Sequence, residues 1–152
     1  MVAGVCRMPA LDEVVFAGVG LGAWWQQGAG QPQEARVSTV DRLDEALFCT
    51  TTITGWRTIG RQETFDRLCA ASGLVRGWSD CYGHLLVATG RADVMVDPEM
   101  NTWDAAALLP ILQEAGGHFV TLDGRAVVDG GNGLSVNAEI RDAVLKVIAG
   151  TE

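Results

Sequence analysis

Apolar residues in this chain fall into short bursts, and the spacing inside each burst predicts an element. Near the start, VAGVC and EVVFAGVG are small, β-branched runs on either side of MPALDE, which reads as strand, turn, strand. An isolated hairpin is marginal in water, so this one is expected to extend a larger sheet, with Trp24 and Trp25 adding aromatic area to the same surface. Residues 26–35 (QQGAGQPQEA) lack apolar periodicity and read as a linker. The predicted division is therefore 1–33, a hairpin belonging to an N-terminal layer, and 34–152, an α/β domain.

Beyond residue 34 strand and helix patterns alternate. EALFCTTTI, GLVRGW, ADVMVD, HFVTL and GLSVN read as strands. RQETFDRLCAAS places Phe65, Leu68 and Cys69 on one helical face, CYGHLLVATG is a helix ended by Gly90, and TWDAAALLPILQEAGG is a helix closed by a glycine pair. In the last helix, AEIRDAVLKVIAG, residues Ile140, Val144, Leu145 and Ile148 point inward. Pro110 interrupts its helix: it removes an amide and meets the carbonyl of Ala106 at a cost of about 3 kcal/mol, which predicts a kink.

Composition narrows the function classes. With 152 residues, 48% hydrophobic and 20% charged, the chain can bury a core. Its net charge of −8 repels nucleic-acid backbones and anionic membranes, so neither is an expected partner, and any phosphate ester it handles needs cations as intermediaries. No apolar run approaches the roughly 18 residues of a membrane span, and Asp12 and Glu13 stand where a signal peptide keeps its apolar segment, which leads to an expected cytoplasmic location. The four widely spaced cysteines, with no CxxC pair, fit reduced packing residues and argue against zinc.

Candidate chemistry concentrates between Asp93 and Gly117. There a strand runs into a turn containing Pro98 and Asn101, and the turn delivers Asp104 into the first turn of a helix. A carboxylate there is favoured by the helix dipole and by free backbone N–H groups. It suits a hard cation such as magnesium, which takes one or two protein carboxylates and fills its shell with water and phosphate oxygens. Equally, Asp104 is an ordinary capping residue.

Trp103, Asp104, Ala105 and Ala106, followed by Glu114, Ala115, Gly116 and Gly117, match the WDxAA…EAGG signature of the inositol monophosphatase superfamily, which the chain resembles continuously from Ala35 to Gly150. The resemblance implies a layered sugar-phosphatase sandwich of the inositol monophosphatase/fructose-bisphosphatase type, of which this chain carries the C-terminal half, a mixed sheet with flanking helices. It makes Asp104 a Mg2+ ligand and leaves Trp103, Ala105 and Ala106 structural. It also makes Asp97, seven positions earlier, a contact to the non-phosphate part of the substrate, against the alternative of a plain Asp-Pro turn.

Within that superfamily, Asp80 before Cys-Tyr-Gly and the LLPIL wording resemble the histidinol-phosphatase branch, whereas inositol phosphatases put small neutral residues where Asp80 and Cys81 sit. Histidinol carries an ammonium and an imidazole, and buried cations call for carboxylates, so Asp80 and Asp97 are the substrate-binding candidates. Asp80 as a helix N-cap stays open. Arg76 either pairs with Asp80 or reaches a phosphate. Ser79 replaces the branch's usual glycine, His84 reads as a packed histidine outside the site, and Asn137 as the cap of the last helix.

The superfamily's other metal ligands, a Glu-Glu pair and a DPxDGT segment, do not occur in this sequence, whose only Asp-Pro is Asp97-Pro98. Two readings follow. In one, the chain is the substrate-recognising part of a longer magnesium-dependent histidinol-phosphate phosphatase of histidine biosynthesis, inactive or nearly so by itself. In the other, it is a relative acting on a different small phosphate ester, or a non-catalytic binding module. Such phosphatases are commonly homodimers, and a homodimer is the expected assembly.

Overall fold

Alternation of inward and outward side chains over Glu13–Gly18 builds the centre of an antiparallel sheet in the computed structural model, which describes residues 1–78 and 80–151. Strands β1 (Ala3–Met8), β2 (Glu13–Gly18), β3 (Gly22–Gln27) and β4 (Gln33–Glu34) form a meander in that order, with β1 and β4 at its edges. The hairpin expected from the sequence is thus half of a four-stranded sheet. Much of the expected linker is strand as well: Gln26 and Gln27 pair with β2, and Gln33 pairs with Trp25. Polar residues suit the solvent side and edge of an antiparallel sheet, so their lack of apolar periodicity does not exclude strand.

A second sheet contains β5 (Leu47–Thr50), β6 (Leu74–Gly77), β7 (Val94–Asp97), β8 (His118–Val120) and β9 (Gly133–Val136) in the order β6-β5-β7-β9-β8. The first three are parallel and the other pairings antiparallel. After β5 come α1 (Gly55–Thr58) and α2 (Gln62–Ala71), while α3 (Asp80–Ala88) joins β6 to β7. On one face of this sheet α2 and α6 (Arg141–Ala149) enclose Phe48, Val94, Val96, Leu134 and Val136. On the other face lie α3 and α5 (Leu108–Glu114), which pack in turn against the first sheet. The layers therefore run sheet, helices, sheet, helices. Side chains such as Leu85, Ile111 and Phe119 are removed from water by that stacking, each contributing about 1.5–3 kcal/mol.

The expected helix over TWDAAALLPILQEAGG is two short pieces, α4 (Thr102–Ala105) and α5, broken at Ala106 and Ala107. The break falls at the carbonyl Pro110 would have met, and Pro110 stands in the first turn of α5, where a missing amide costs nothing. Strand β1 crosses just there, so closely that a Cβ on Gly4 would lie 2.2 Å from the Ala107 carbonyl oxygen. Asn137 accepts the backbone N–H of Ile140 at 3.1 Å, at the start of the turn leading into α6. Among the described residues no helix is long and apolar enough to cross a membrane.

Two acidic residues fasten the first sheet to the helices behind it. Glu13 is buried and accepts from the Arg91 guanidinium and from the Tyr82 hydroxyl (3.3 Å), while Arg91 stacks over Trp25 at 4.7 Å. Glu114, at the end of α5, accepts the N–H groups of Gly20 and Gly22 at 2.9 Å each and so anchors the β2–β3 turn. Those amides hold its carboxyl below the usual value of 4.5.

Glu13→Ala strands Arg91, which is partly exposed, so the expected loss lies at the lower end for a broken buried pair: about 3 kcal/mol, read by urea unfolding. Because the Glu114 carboxyl is depressed in the folded chain, its contribution is complete above the unfolded value of 4.5 and disappears as pH falls through the lower folded value. Melting temperatures measured over that acid range should fall less steeply for Glu114→Gln than for the parent chain.

Candidate functional site

The parallel strands β5 and β7 end side by side, with α2 leaving on one face of the sheet and α3 arriving on the other, the place where open α/β sheets form ligand crevices. A cavity of about 540 Å³ opens there. Thr51 and Thr52 follow β5 into it, Asp97 closes β7, and Val5, Cys6 and Ala107 supply the wall where β1 meets the α4–α5 break. Three of the four residues singled out from the sequence, Asp80, Asp97 and Asp104, line this one cavity from three different elements.

Asp97 is the most enclosed of the three, at 6% exposure. One of its oxygens takes the Thr51 hydroxyl and the other lies 3.1 Å from His84 Nε2. Asp80 begins α3 with a φ of +49°, in the left-handed region that Asp enters more readily than most residues with a side chain, rather than with the extended backbone of an ordinary N-cap. Its N–H donates to Thr51 Oγ1 at 3.1 Å. One hydroxyl therefore secures two carboxylate-bearing residues. Ser79, expected to alter this turn, lies outside the described residues.

Asp104 caps its helix, one of the two roles the sequence left open. Its Oδ2 accepts the Asn101 backbone N–H at 3.1 Å and the Asn101 side chain at 3.3 Å, which ties the start of α4. The residue is exposed to the cavity, and among the described residues Oδ1 has no hydrogen-bond donor. A helix of one turn adds little dipole, so the side chain is placed mainly by Asn101. No group of three or more His, Cys, Asp or Glu side chains able to hold a metal ion occurs among the described residues. Asp104 fits magnesium as a single carboxylate ligand, in keeping with that ion's use of one or two.

Arg76 is not brought to the cavity. It is exposed on β6 and its Nη1 donates to the Val75 carbonyl at 2.8 Å. Trp103, expected to be structural, is 78% exposed and stands on the cavity wall beside Asp104. Cys6 and Cys81 also line the cavity, but burial pushes the Cys6 thiol up to about 12 and raises that of Cys81, with Asp80 adding to the latter. Neither offers a thiolate nucleophile near neutral pH. All four cysteines are free. Thr51 was not singled out from the sequence, although a run of three threonines closing a strand puts hydroxyls where ligands bind; His84 was set aside as a packed residue, and it is packed, but against a carboxylate.

Compared with known proteins, the chain matches the family described as "Inositol monophosphatase family" over residues 1–149. It is 40% identical over 131 residues to a histidinol-phosphatase of Chlorobaculum parvum, covering 86% of this chain and 49% of that protein. To a histidinol-phosphatase of Mycobacterium tuberculosis it is 34% identical over 142 residues, covering 93% and 55%. A fructose-1,6-bisphosphatase/inositol-1-monophosphatase of Thermotoga maritima is 32% identical over 148 residues, with 95% of this chain and 54% of that protein covered. Among solved structures, an IMPase of Thermotoga maritima superposes with a TM-score of 0.82 at 30% identity, over 97% of this chain and 56% of that one. An inositol monophosphatase of Anabaena superposes at 0.86 and 24% identity, over 99% and 62%, a likeness of fold. The chain spans about half the length of the relatives it matches.

Proposed function

The chain belongs to the inositol monophosphatase family, and from that premise we propose that it carries the substrate-recognising face of a magnesium-dependent phosphate monoester hydrolase acting on histidinol phosphate. The observation that carries this reading is the convergence of Asp80, Asp97 and Asp104 on one cavity at the carboxyl ends of parallel strands. A phosphate ester does not enter a cavity walled by carboxylates unless cations accompany it. Histidinol phosphate brings an ammonium of its own, which Asp97 and Asp80 receive at one end. Asp104 would hold magnesium, its Oδ1 carrying no donor among the described residues. When bound, the metal supplies Lewis acidity toward the ester phosphate.

The division of labour follows from how each carboxylate is supported. Asp97 is nearly buried and braced on both oxygens, which suits recognition of a fixed ligand cation. Asp104 is open and braced on one oxygen only, which suits a hydrated ion that keeps most of its waters. Arg76, which is not among the residues lining the cavity, has no part in phosphate binding in this reading. Relatives named histidinol-phosphatase, at 33–40% identity, favour the amino-alcohol ester over a polyol ester, although the 32% identical bisphosphatase/inositol-phosphatase relative keeps the latter as the competing substrate class.

Isothermal titration of the chain with histidinol phosphate, with and without magnesium and against inositol 1-phosphate, tests the assignment. A charge-assisted contact of about 1.5–3 kcal/mol corresponds to roughly ten- to hundredfold, so Asp97→Asn should weaken histidinol phosphate by at least about tenfold. Asp104→Asn should remove the magnesium dependence while leaving the fold intact by circular dichroism. Equal affinity for the two esters in the parent chain would refute the histidinol assignment, and binding indifferent to magnesium would refute the role of Asp104.

A further inference from the structure

Helix α3 is enclosed between the two sheets, and His84 within it is 0% exposed. Both of its ring nitrogens are nevertheless engaged. Nδ1 lies 2.7 Å from the Ser135 hydroxyl on β9, Nε2 lies 3.1 Å from Asp97 Oδ2, and Phe119 packs on the ring at 5.8 Å. A carboxylate can only accept, so the proton facing Asp97 is on Nε2; in the neutral ring Nδ1 is then an acceptor and Ser135 donates to it. On the far side of Asp97 the Thr51 hydroxyl donates to Oδ1, and Thr51 Oγ1 accepts the Asp80 N–H. The result is one directed chain of hydrogen bonds, Ser135 to His84 to Asp97 from one side and Asp80 to Thr51 to Asp97 from the other.

A buried histidine that has merely found partners is the plain alternative. Two observations set this one apart. First, His84 does not line the cavity whereas Asp97 does, so the ring holds the carboxylate from behind and leaves its remaining lone pairs facing the ligand space. Second, the chain of bonds does not end at Asp97 but reaches the backbone of Asp80, the other carboxylate placed in recognition, where φ is +49°. A fixed ring on one oxygen and a shared hydroxyl on the other determine both the rotamer of Asp97 and its place relative to Asp80.

We propose that His84, with its Nε2 proton directed at Asp97 and its Nδ1 held by Ser135, is the positioning residue that orients Asp97 toward a cationic substrate group. This deepens the reading of the cavity as a histidinol phosphate site and rests on it. His84 touches no ligand; it acts through Asp97.

The test combines binding with a measurement that needs no ligand. By titration with histidinol phosphate in magnesium buffer, His84→Leu should weaken binding by about tenfold, the loss expected for one charge-assisted contact. His84→Gln, whose amide can donate from nearly the Nε2 position, should recover most of it. The double variant His84→Leu/Asp97→Asn should bind no worse than Asp97→Asn alone. Independently, nitrogen-15 NMR of the parent chain should find the His84 proton on Nε2, and the carbon-13 signal of the Asp97 carboxyl should move in His84→Gln less than in His84→Leu. A proton on Nδ1, a Gln variant no better than Leu, or additive losses in the double variant would overturn the proposal. Should the leucine variant not fold, the glutamine variant and the tautomer decide. If the parent chain binds no histidinol phosphate, the proposed function falls, and the positioning role of His84 is then judged by the two NMR measurements alone.

Discussion

Everything in the site descends from the enclosure of α3 between two sheets. A helix covered on both sides cannot keep a polar face, and from Gly83 to Ala88 every residue of α3 is buried. Gly83 lets the helix settle onto β7, where any Cβ would meet the Met95 sulfur at 2.5 Å. In such a layer a polar side chain must find all its partners inside, since an unmet hydrogen bond there costs about 1–3 kcal/mol. That requirement links His84 to Ser135 and Asp97, and it places the end of β7 under the control of the core. At the solvent end of the same helix layer the clasp of Glu13, Tyr82 and Arg91 closes the first sheet over it.

The wall of the cavity is assembled where three regular elements stop. Strand β5 ends in threonines, β7 ends in an aspartate followed by proline, and the helical stretch after it breaks where β1 passes over. Each stop frees side chains and backbone groups that a continuing element would have used internally. Asp104 shows the economy of this arrangement: the carboxylate that completes a one-turn helix with one oxygen keeps the other for the cavity.

Much of this was legible in the sequence, and the exceptions have physical reasons. Periodicity located the core helices α2, α3 and α6 and the strands of the second sheet, because burial on one or both faces leaves a pattern. Strands β3 and β4 escaped because a solvent-facing edge tolerates Gln and Glu, which are silent in such a pattern. Pro110 announced a disturbance but not its position, since the chain yielded one turn earlier, at Ala106 and Ala107, where strain would otherwise have gathered. The family resemblance pointed to Asp80, Asp97 and Asp104, which line one cavity, but not to Thr51 and His84, whose contacts with Asp97 span 46 and 13 residues in sequence. Arg76 is the one candidate that the cavity lining does not include: it stands on β6, where its guanidinium donates to the Val75 carbonyl.

The break between α4 and α5 has a further implication for how such a protein can diversify. Asp97 is braced by the buried His84 and by Thr51, whereas the Asp104 side chain is tethered, among the described residues, by its neighbour Asn101. In the proposed reading, the carboxylate that meets the substrate is thus mechanically stiff, and the one suited to an ion is comparatively self-contained. If Asp97 and Asp104 act as proposed, alterations in the interior layer, remote from any bound molecule, would retune selectivity while the ion-facing corner persists unchanged.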